Sequence, residues 1–221
     1  MQTFFAGVTH ELRTPMTGIR LQAESIAEKT TPADPQYKLV NRLLEDAEKL
    51  ESHLEQTLEL ARIEGGSPPQ LQAIKLDNFL QHFLRDWHYN HGADHPAVQY
   101  EMGSSACMAD PVALKTIFRN LFDNTLKHSG NPNVSVAMNV VTQGPRVIVH
   151  YADNGLGFTQ DPATLGTVFA KGQASSGSGV GLYLVSALMK QMGGSVRFES
   201  ANGFTAALDF PAATYVEGAT R

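Results

Sequence analysis

Apolar residues return at every seventh position twice in this chain, first at Phe5, Leu12, Ile19 and Ile26 and again at Val40, Ala47, Leu54 and Ala61. A seven-residue repeat is compatible with an α-helix that packs along its length and with little else. Val8, Met16 and Ala23 widen the first stripe, so residues 1 to 29 read as one amphipathic helix. TTPAD, residues 30 to 34, interrupts it. Asp34 followed by Pro35 reads as a helix start, the carboxylate capping free N–H groups and the proline occupying the first turn. The second helix then runs to about Glu64, with Leu43, Leu50 and Thr57 as its other heptad position. Two helices alone bury little surface, and a seam on both predicts that two hairpins pair into a dimeric four-helix bundle. The plainer alternative packs the hairpin on the rest of its own chain.

GGSPPQ, residues 65 to 70, stops the second helix and reads as a linker or hinge. A different texture follows, from 71 to 221. Gln72 to Leu76 reads as a short strand, after which Asp77 caps a helix carrying Phe79, Leu80, Phe83, Leu84 and Trp87 at core spacing. Val98 to Met102 and Ala106 to Met108 read as strands, and Asp110-Pro111 repeats the cap-plus-proline start for a helix to about His128. Strands at Val134 to Val141 and Arg146 to Ala152 flank a Gly-Pro turn. A glycine-rich stretch leads to a helix from about Val180 to Met192, and strands Ser195 to Ser200 and Phe204 to Phe210 close the chain around Asn202-Gly203. The expectation is an α+β protein of two domains, 1–64 a helical hairpin and 71–221 an α/β layered domain with largely antiparallel pairings.

Composition narrows the partners. Of 221 residues, 42% are hydrophobic and 18% charged, an ordinary globular balance, and the net charge of -5 argues against nucleic acid or an anionic membrane as the main partner. The single cysteine, Cys107, cannot form an internal disulfide, and no run approaches the roughly eighteen apolar residues that cross a bilayer. The expected setting is the cytoplasm. Met1 to Val8 lacks the positive n-region of a signal peptide, and the abrupt start predicts a piece of a longer protein.

Several polar residues are out of keeping with a purely structural role. His10 falls outside the heptad seam, with Arg13, Thr14 and Thr17 on the same wet face. Glu11 is placed to fix one ring nitrogen and leave the other as a nucleophile. Pro15 removes a backbone hydrogen bond one turn later, at a cost of about 3 kcal/mol unless the fold uses the bend. On the helix after Asp110, Asn120, Asn124 and Lys127 form one polar stripe, and Ile117, Phe118, Leu121 and Thr125 fill the other side. Neutral amide oxygens and a point charge suit a hydrated magnesium ion and phosphates. DNGLGF, residues 153 to 158, comes directly off a strand, with Asp153 as a carboxylate for a donor and Gly155 and Gly157 allowing close backbone approach to a ligand. GSGVGL, residues 177 to 182, sets Gly177, Gly179 and Gly181 before a helix whose N-terminus favours an anion. It is neither a Rossmann fingerprint nor a P-loop.

Taken in order, these motifs resemble those of sensor histidine kinases. VTHELRTP is similar to their H-box, RNLFDNTLKH to the N-box, DNGLGF to the G1 box, VFAKG to a shortened F-box and GSGVGL to the G2 box. The resemblance implies a dimerisation and phosphotransfer hairpin followed by an α/β sandwich ATP-binding domain of the Bergerat type. It implies His10 as phosphoacceptor, Glu11 as the acid that orients or deprotonates it, and Thr14 as the group that places water when the partner is dephosphorylated. Asn124 becomes the main magnesium ligand with Asn120 in support, Lys127 contacts phosphate, His128 lies against the nucleotide, and Asp153 binds the adenine amino group. Gly155, Gly157, Gly177, Gly179 and Gly181 shape the pocket and its lid.

The implied partners are a second copy of the chain, ATP, magnesium and the receiver domain of a separate response regulator. The fragment itself is expected to make no membrane contact, which leaves room for a membrane-anchored parent with its sensor upstream. Thr9 and Met16 depart mildly from the family pattern, and Lys171 is the only basic residue of a short lid segment, Ala170 to Ser178. That lid motivates a rival reading, a pseudokinase or adaptor that acts by dimerisation and binding.

Overall fold

The computed structural model describes residues 2–31, 33–65, 68–91, 96–158, 180–200 and 202–213, with side chains at all of these except 2–13, 48–49, 51–53, 55, 64 and 89–91. The chain divides into two compact units, Met1–Ser67 and Pro68–Arg221.

The first unit is a helical hairpin of α1 (Gln2–Ala27) and α2 (Tyr37–Glu64). Helix α1 continues through Pro15 without a break in its assignment. The turn between the helices corrects the expected cap. Gln36, not Asp34, precedes the first turn of α2, and it makes no side-chain cap. The Asp34 carboxylate points back instead, accepting from the Thr31 N–H at 2.8 Å and its hydroxyl at 3.1 Å. A local side-chain bond to the turn has outcompeted the cap. Small residues make the contact within the hairpin: Ala23, Val40 and Ala47 are buried, whereas Ile19, Ile26, Leu43 and Leu50 stand 45–55% exposed. These four large heptad residues are therefore left exposed in the single chain. No helix among the described residues is long and apolar enough to cross a membrane.

The second unit is an α/β sandwich. Its elements are β1 (Gln72–Lys75), α3 (Leu76–His91), β2 (Ala97–Glu101), β3 (Ala106–Ala109), α4 (Pro111–His128), β4 (Ser135–Gln143), β5 (Arg146–Asp153), α5 (Gly181–Gln191), β6 (Ser195–Ser200) and β7 (Phe204–Pro211). The main sheet runs β2-β4-β5-β7-β6, with β2 parallel to β4 and every other neighbour antiparallel, while β1 and β3 form a separate antiparallel ribbon. Alternate residues of β5 and β7 (Val147, Val149, Tyr151; Ala206, Leu208, Phe210) are buried, as a sheet covered on one face requires. The helical layer answers with Phe83 and Trp87 of α3, Ile117, Phe118, Leu121 and Phe122 of α4, and Leu184 and Leu188 of α5. Trp87 and Phe122 lie 5.4 Å apart, and Phe122 meets Tyr151 edge-on at 5.5 Å, so the aromatic stack joins helices to sheet.

Helix α4 carries most of the candidate site, and its start is fixed as expected. Asp110 Oδ1 accepts from the N–H groups of Val112 at 2.9 Å and Ala113 at 3.2 Å, with Pro111 in the first turn. Its other oxygen accepts from the Gln70 N–H at 2.8 Å, tying the chain ahead of β1 to the same carboxylate. Asp77 does not cap α3 as expected: the helix starts at Leu76, and Asp77 lies in its first turn, accepting from Gln81 Nε2 at 2.9 Å.

Candidate functional site

Asp153 ends β5 and is buried, an arrangement that an ionised carboxylate tolerates only when hydrogen-bonded. It is. Oδ1 accepts from the Gly155 N–H at 3.0 Å and the Phe204 N–H at 2.9 Å, and Oδ2 accepts from the Thr125 hydroxyl at 2.7 Å. The Thr125 oxygen lies 2.8 Å from the Tyr151 hydroxyl, which also reaches the Leu121 carbonyl at 3.3 Å. Because the Thr125 proton goes to the carboxylate, Tyr151 is the donor in its own contacts. Burial, first of all, holds its phenol well above the ordinary value, the Thr125 hydrogen bond works the other way, and the charges of Asp153 and Asp123 add to the rise. Tyr151 is thus a neutral donor throughout the physiological range.

The loop after Asp153 is built on backbone contacts. Asn154 exchanges bonds with Ser135, its Oδ1 accepting from that N–H at 2.7 Å, and Leu156 donates to the Ser129 carbonyl at 2.8 Å. A β-carbon on Gly155 would stand 2.6 Å from Ser129 Cα. Gly157, at φ +69°, has no room for one against Ser200 Oγ, and Gly203, at φ +128°, has none against the Asp153 carbonyl oxygen. The close approach for which these loop glycines are needed is therefore to the protein's own backbone and to Ser200. Phe158 N–H donates to Ser200 Oγ at 2.9 Å, which ties the loop to β6.

The polar stripe of α4 divides in depth. Asn120 is buried, its Nδ2 donating to the Thr116 carbonyl at 2.8 Å, whereas Asn124 is half-buried. Lys127 is exposed, with its ammonium 3.9 Å from Asp123 Oδ2. His128 is exposed as a residue, yet partial burial of its ring and the neighbouring Lys127 charge hold its pKa below the ordinary value. Gly181 opens α5 after Val180, which makes no side-chain cap. Lys171, Gly177 and Gly179 lie outside the described residues. Of the hairpin residues, His10 and Glu11 fall within α1 with side chains outside the description, and Thr14 is exposed on the same helix. Among the described residues no cluster of three or more His, Cys, Asp or Glu gathers, and the polar stripe of α4 offers the amide oxygens of Asn120 and Asn124.

Sequence reasoning missed Thr125, Tyr151, Ser129, Ser200 and Gly203. Thr125 had a detectable signal: a hydroxyl on the apolar side of a helix has to find a buried partner. Tyr151 lies two residues before Asp153 and so shares its face of the strand.

Comparison with known proteins agrees with this geometry. Residues 1–66 match the His Kinase A (phospho-acceptor) domain, and residues 109–214 match the histidine kinase-, DNA gyrase B- and HSP90-like ATPase family. The sensor histidine kinase ZraS of Klebsiella oxytoca is 31% identical over 213 residues, 93% of this chain and 44% of that protein. The probable sensor histidine kinase TcrY of Mycobacterium tuberculosis is 27% identical over 215 residues, with the same coverage. Among solved structures, full-length ShkA in complex with AMPPNP superposes with a TM-score of 0.71 at 24% identity, over 96% of this chain and 46% of that one. The histidine kinase AdeS of Acinetobacter baumannii superposes at 0.64 and 17% identity, over 91% of this chain and 97% of its own. The chain belongs to the two-component sensor histidine kinases. It spans 44% of the length of each of these two curated relatives.

Proposed function

We propose that the chain phosphorylates its own His10 from ATP and passes the phosphoryl group to an aspartate on a response regulator. The observation that carries this reading is Asp153. A carboxylate offers about four acceptor sites, and Gly155, Phe204 and Thr125 take three. One site on Oδ2 is left for a single N–H donor, which suits the amino group of adenine. Five residues before Thr125 on α4, Asn120 donates through its amide nitrogen to the Thr116 carbonyl, and its amide oxygen is the atom of a kind that suits a cation. Asn124 supplies a second amide, and Lys127 a point charge for phosphate. Magnesium, when bound through such oxygens, would neutralise charge on the phosphates.

Phosphoryl transfer demands positioning more than covalent help from the protein. The lone pair of one His10 nitrogen forms the N–P bond as the β–γ bridging P–O bond breaks and ADP leaves, while Glu11 orients the other ring nitrogen and takes its proton. In the second step the regulator's carboxylate oxygen attacks phosphorus, the N–P bond breaks, and the imidazole recovers its proton. Thr14 places water for the reverse duty, hydrolysis of the aspartyl phosphate. His10 and Asp153 belong to different units, so linker 65–70 serves as a hinge. The outward Ile19, Ile26, Leu43 and Leu50 support a homodimer through a four-helix bundle. The parent protein would present this part in the cytoplasm.

The test is incubation with γ-labelled ATP and magnesium. Acid-labile, alkali-stable label that disappears in His10→Ala supports autophosphorylation. ATP binding without any label would sink it and leave a nucleotide-binding adaptor.

A further inference from the structure

Thr125 and Tyr151 touch no reacting atom in the mechanism above, yet both are buried to 1% exposure or less and both point their hydroxyls at the Asp153 carboxylate or its neighbour. A threonine in the core of α4 and a tyrosine in the core of β5 each leave a polar atom to be satisfied, and valine and phenylalanine of nearly the same shape would not. We propose that Thr125 and Tyr151 are positioning residues for nucleotide selection, a relay that fills the helix-facing acceptor site of Asp153 so that it reads one donor and admits a 6-amino purine while rejecting a 6-oxo purine.

The chemistry turns on which lone pairs remain. The guanine edge offers adjacent N–H donors beside the O6 acceptor, and a carboxylate reads it best with both oxygens. Here Oδ1 already holds two backbone N–H groups, from Gly155 and Phe204, so a bidentate pairing is closed. Adenine presents the N6 amino donor where guanine presents the O6 acceptor. The remaining Oδ2 site therefore attracts the first and repels the second, provided Oδ2 keeps its direction. The Thr125 hydroxyl supplies that constraint at 2.7 Å, and Tyr151, by donating to Thr125 at 2.8 Å or to the Leu121 carbonyl, leaves the threonine proton to Asp153. The relay also joins α4, one residue after Asn124, to the end of β5. A site whose polar groups are all spoken for discriminates by leaving the wrong ligand's groups unpaired.

This inference rests on the nucleotide reading of Asp153, and the experiment separates the two. ATP and GTP affinities of the full chain would be measured by competition against a fluorescent ATP analogue, for the wild type and for Asp153→Asn, Thr125→Val, Thr125→Ser and Tyr151→Phe, with melting temperatures alongside. Thr125→Val should lose roughly tenfold in ATP affinity with little change for GTP, so that the ATP:GTP ratio narrows, and Thr125→Ser should restore the ratio. Tyr151→Phe, which decides the matter if Thr125→Val does not fold, should narrow it roughly two- to fivefold. Equal losses for both nucleotides, or unchanged affinities in both variants while Asp153→Asn weakens ATP, would overturn the relay and leave the nucleotide site standing. A wild type that does not bind ATP, or an Asp153→Asn that binds it normally, overturns the underlying reading and the relay with it.

Discussion

Gly155 lies so close to Ser129 that a β-carbon on it would stand 2.6 Å from the serine Cα and 2.9 Å from its carbonyl oxygen, the same oxygen that accepts from the Leu156 N–H. The loop after β5 and the residue that caps the end of α4 are thereby held as one piece. Gly155→Ala should push them apart, lowering stability by about 1–3 kcal/mol and loosening the Gly155 N–H bond to Asp153. Urea unfolding checks this, and a wild-type midpoint would show that the loop yields freely.

Asp153→Asn keeps the shape but not the charge. The carboxamide oxygen can still accept from Gly155 and Phe204, which leaves the NH2 group facing Thr125 and the ligand, where a donor now meets a donor. ATP affinity should fall roughly ten- to a hundredfold with the fold retained. Calorimetric titration reads the change, and normal affinity would place the adenine elsewhere.

Thr14 is exposed on α1, one turn beyond His10. Under the proposed division of labour it acts on water rather than on ATP. Thr14→Ala should therefore autophosphorylate at the wild-type rate and dephosphorylate the regulator more slowly; phosphatase rates equal to wild type would remove that role.

Cys107 is fully buried in β3, and desolvation pushes its thiol from 9.0 up to about 12. Only the thiolate reacts with disulfide reagents, so the folded chain at pH 8 should label no faster than the domain opens, and at once in urea. Between pH 9.0 and about 12 the unfolded chain releases a proton that the folded chain keeps. Stability should fall as pH rises through that window, and Cys107→Ala should flatten the slope. Rapid stoichiometric labelling in native buffer would contradict the seal.

Much of the fold was legible because period and punctuation coincide. The seven-residue spacing and GGSPPQ predicted the hairpin and the break after it, and Asp110-Pro111 marked the start of α4, where cap and proline act on the same turn. Asp34-Pro35 carried the same letters and failed, because Thr31 lay close enough to capture the carboxylate. The heptad said which positions were apolar but not which of them faced the partner helix: the small Ala23 and Ala47 are inside, and Ile19 and Leu50 are out. In the site, Asp153 and the α4 stripe stood out as polar residues in register. Thr125 and Tyr151 did not, since each passes for an apolar filler until the fold brings its hydroxyl to the other. The glycines of DNGLGF were recognised as sites of close approach, but what they approach, Ser129, Ser200 and Gly203, is distant in sequence.

The order β2-β4-β5-β7-β6 puts the last of the described strands between two earlier ones. While the chain is being synthesised, β5 and β6 each wait with an open edge, exposed to pairing with a neighbouring chain, until residues 204–211 arrive. Phe204 also brings the N–H that completes the cradle of Asp153. A nascent or truncated chain ending before Phe204 would thus hold every motif except the strand that seals them, and nucleotide competence would appear only once β7 inserts.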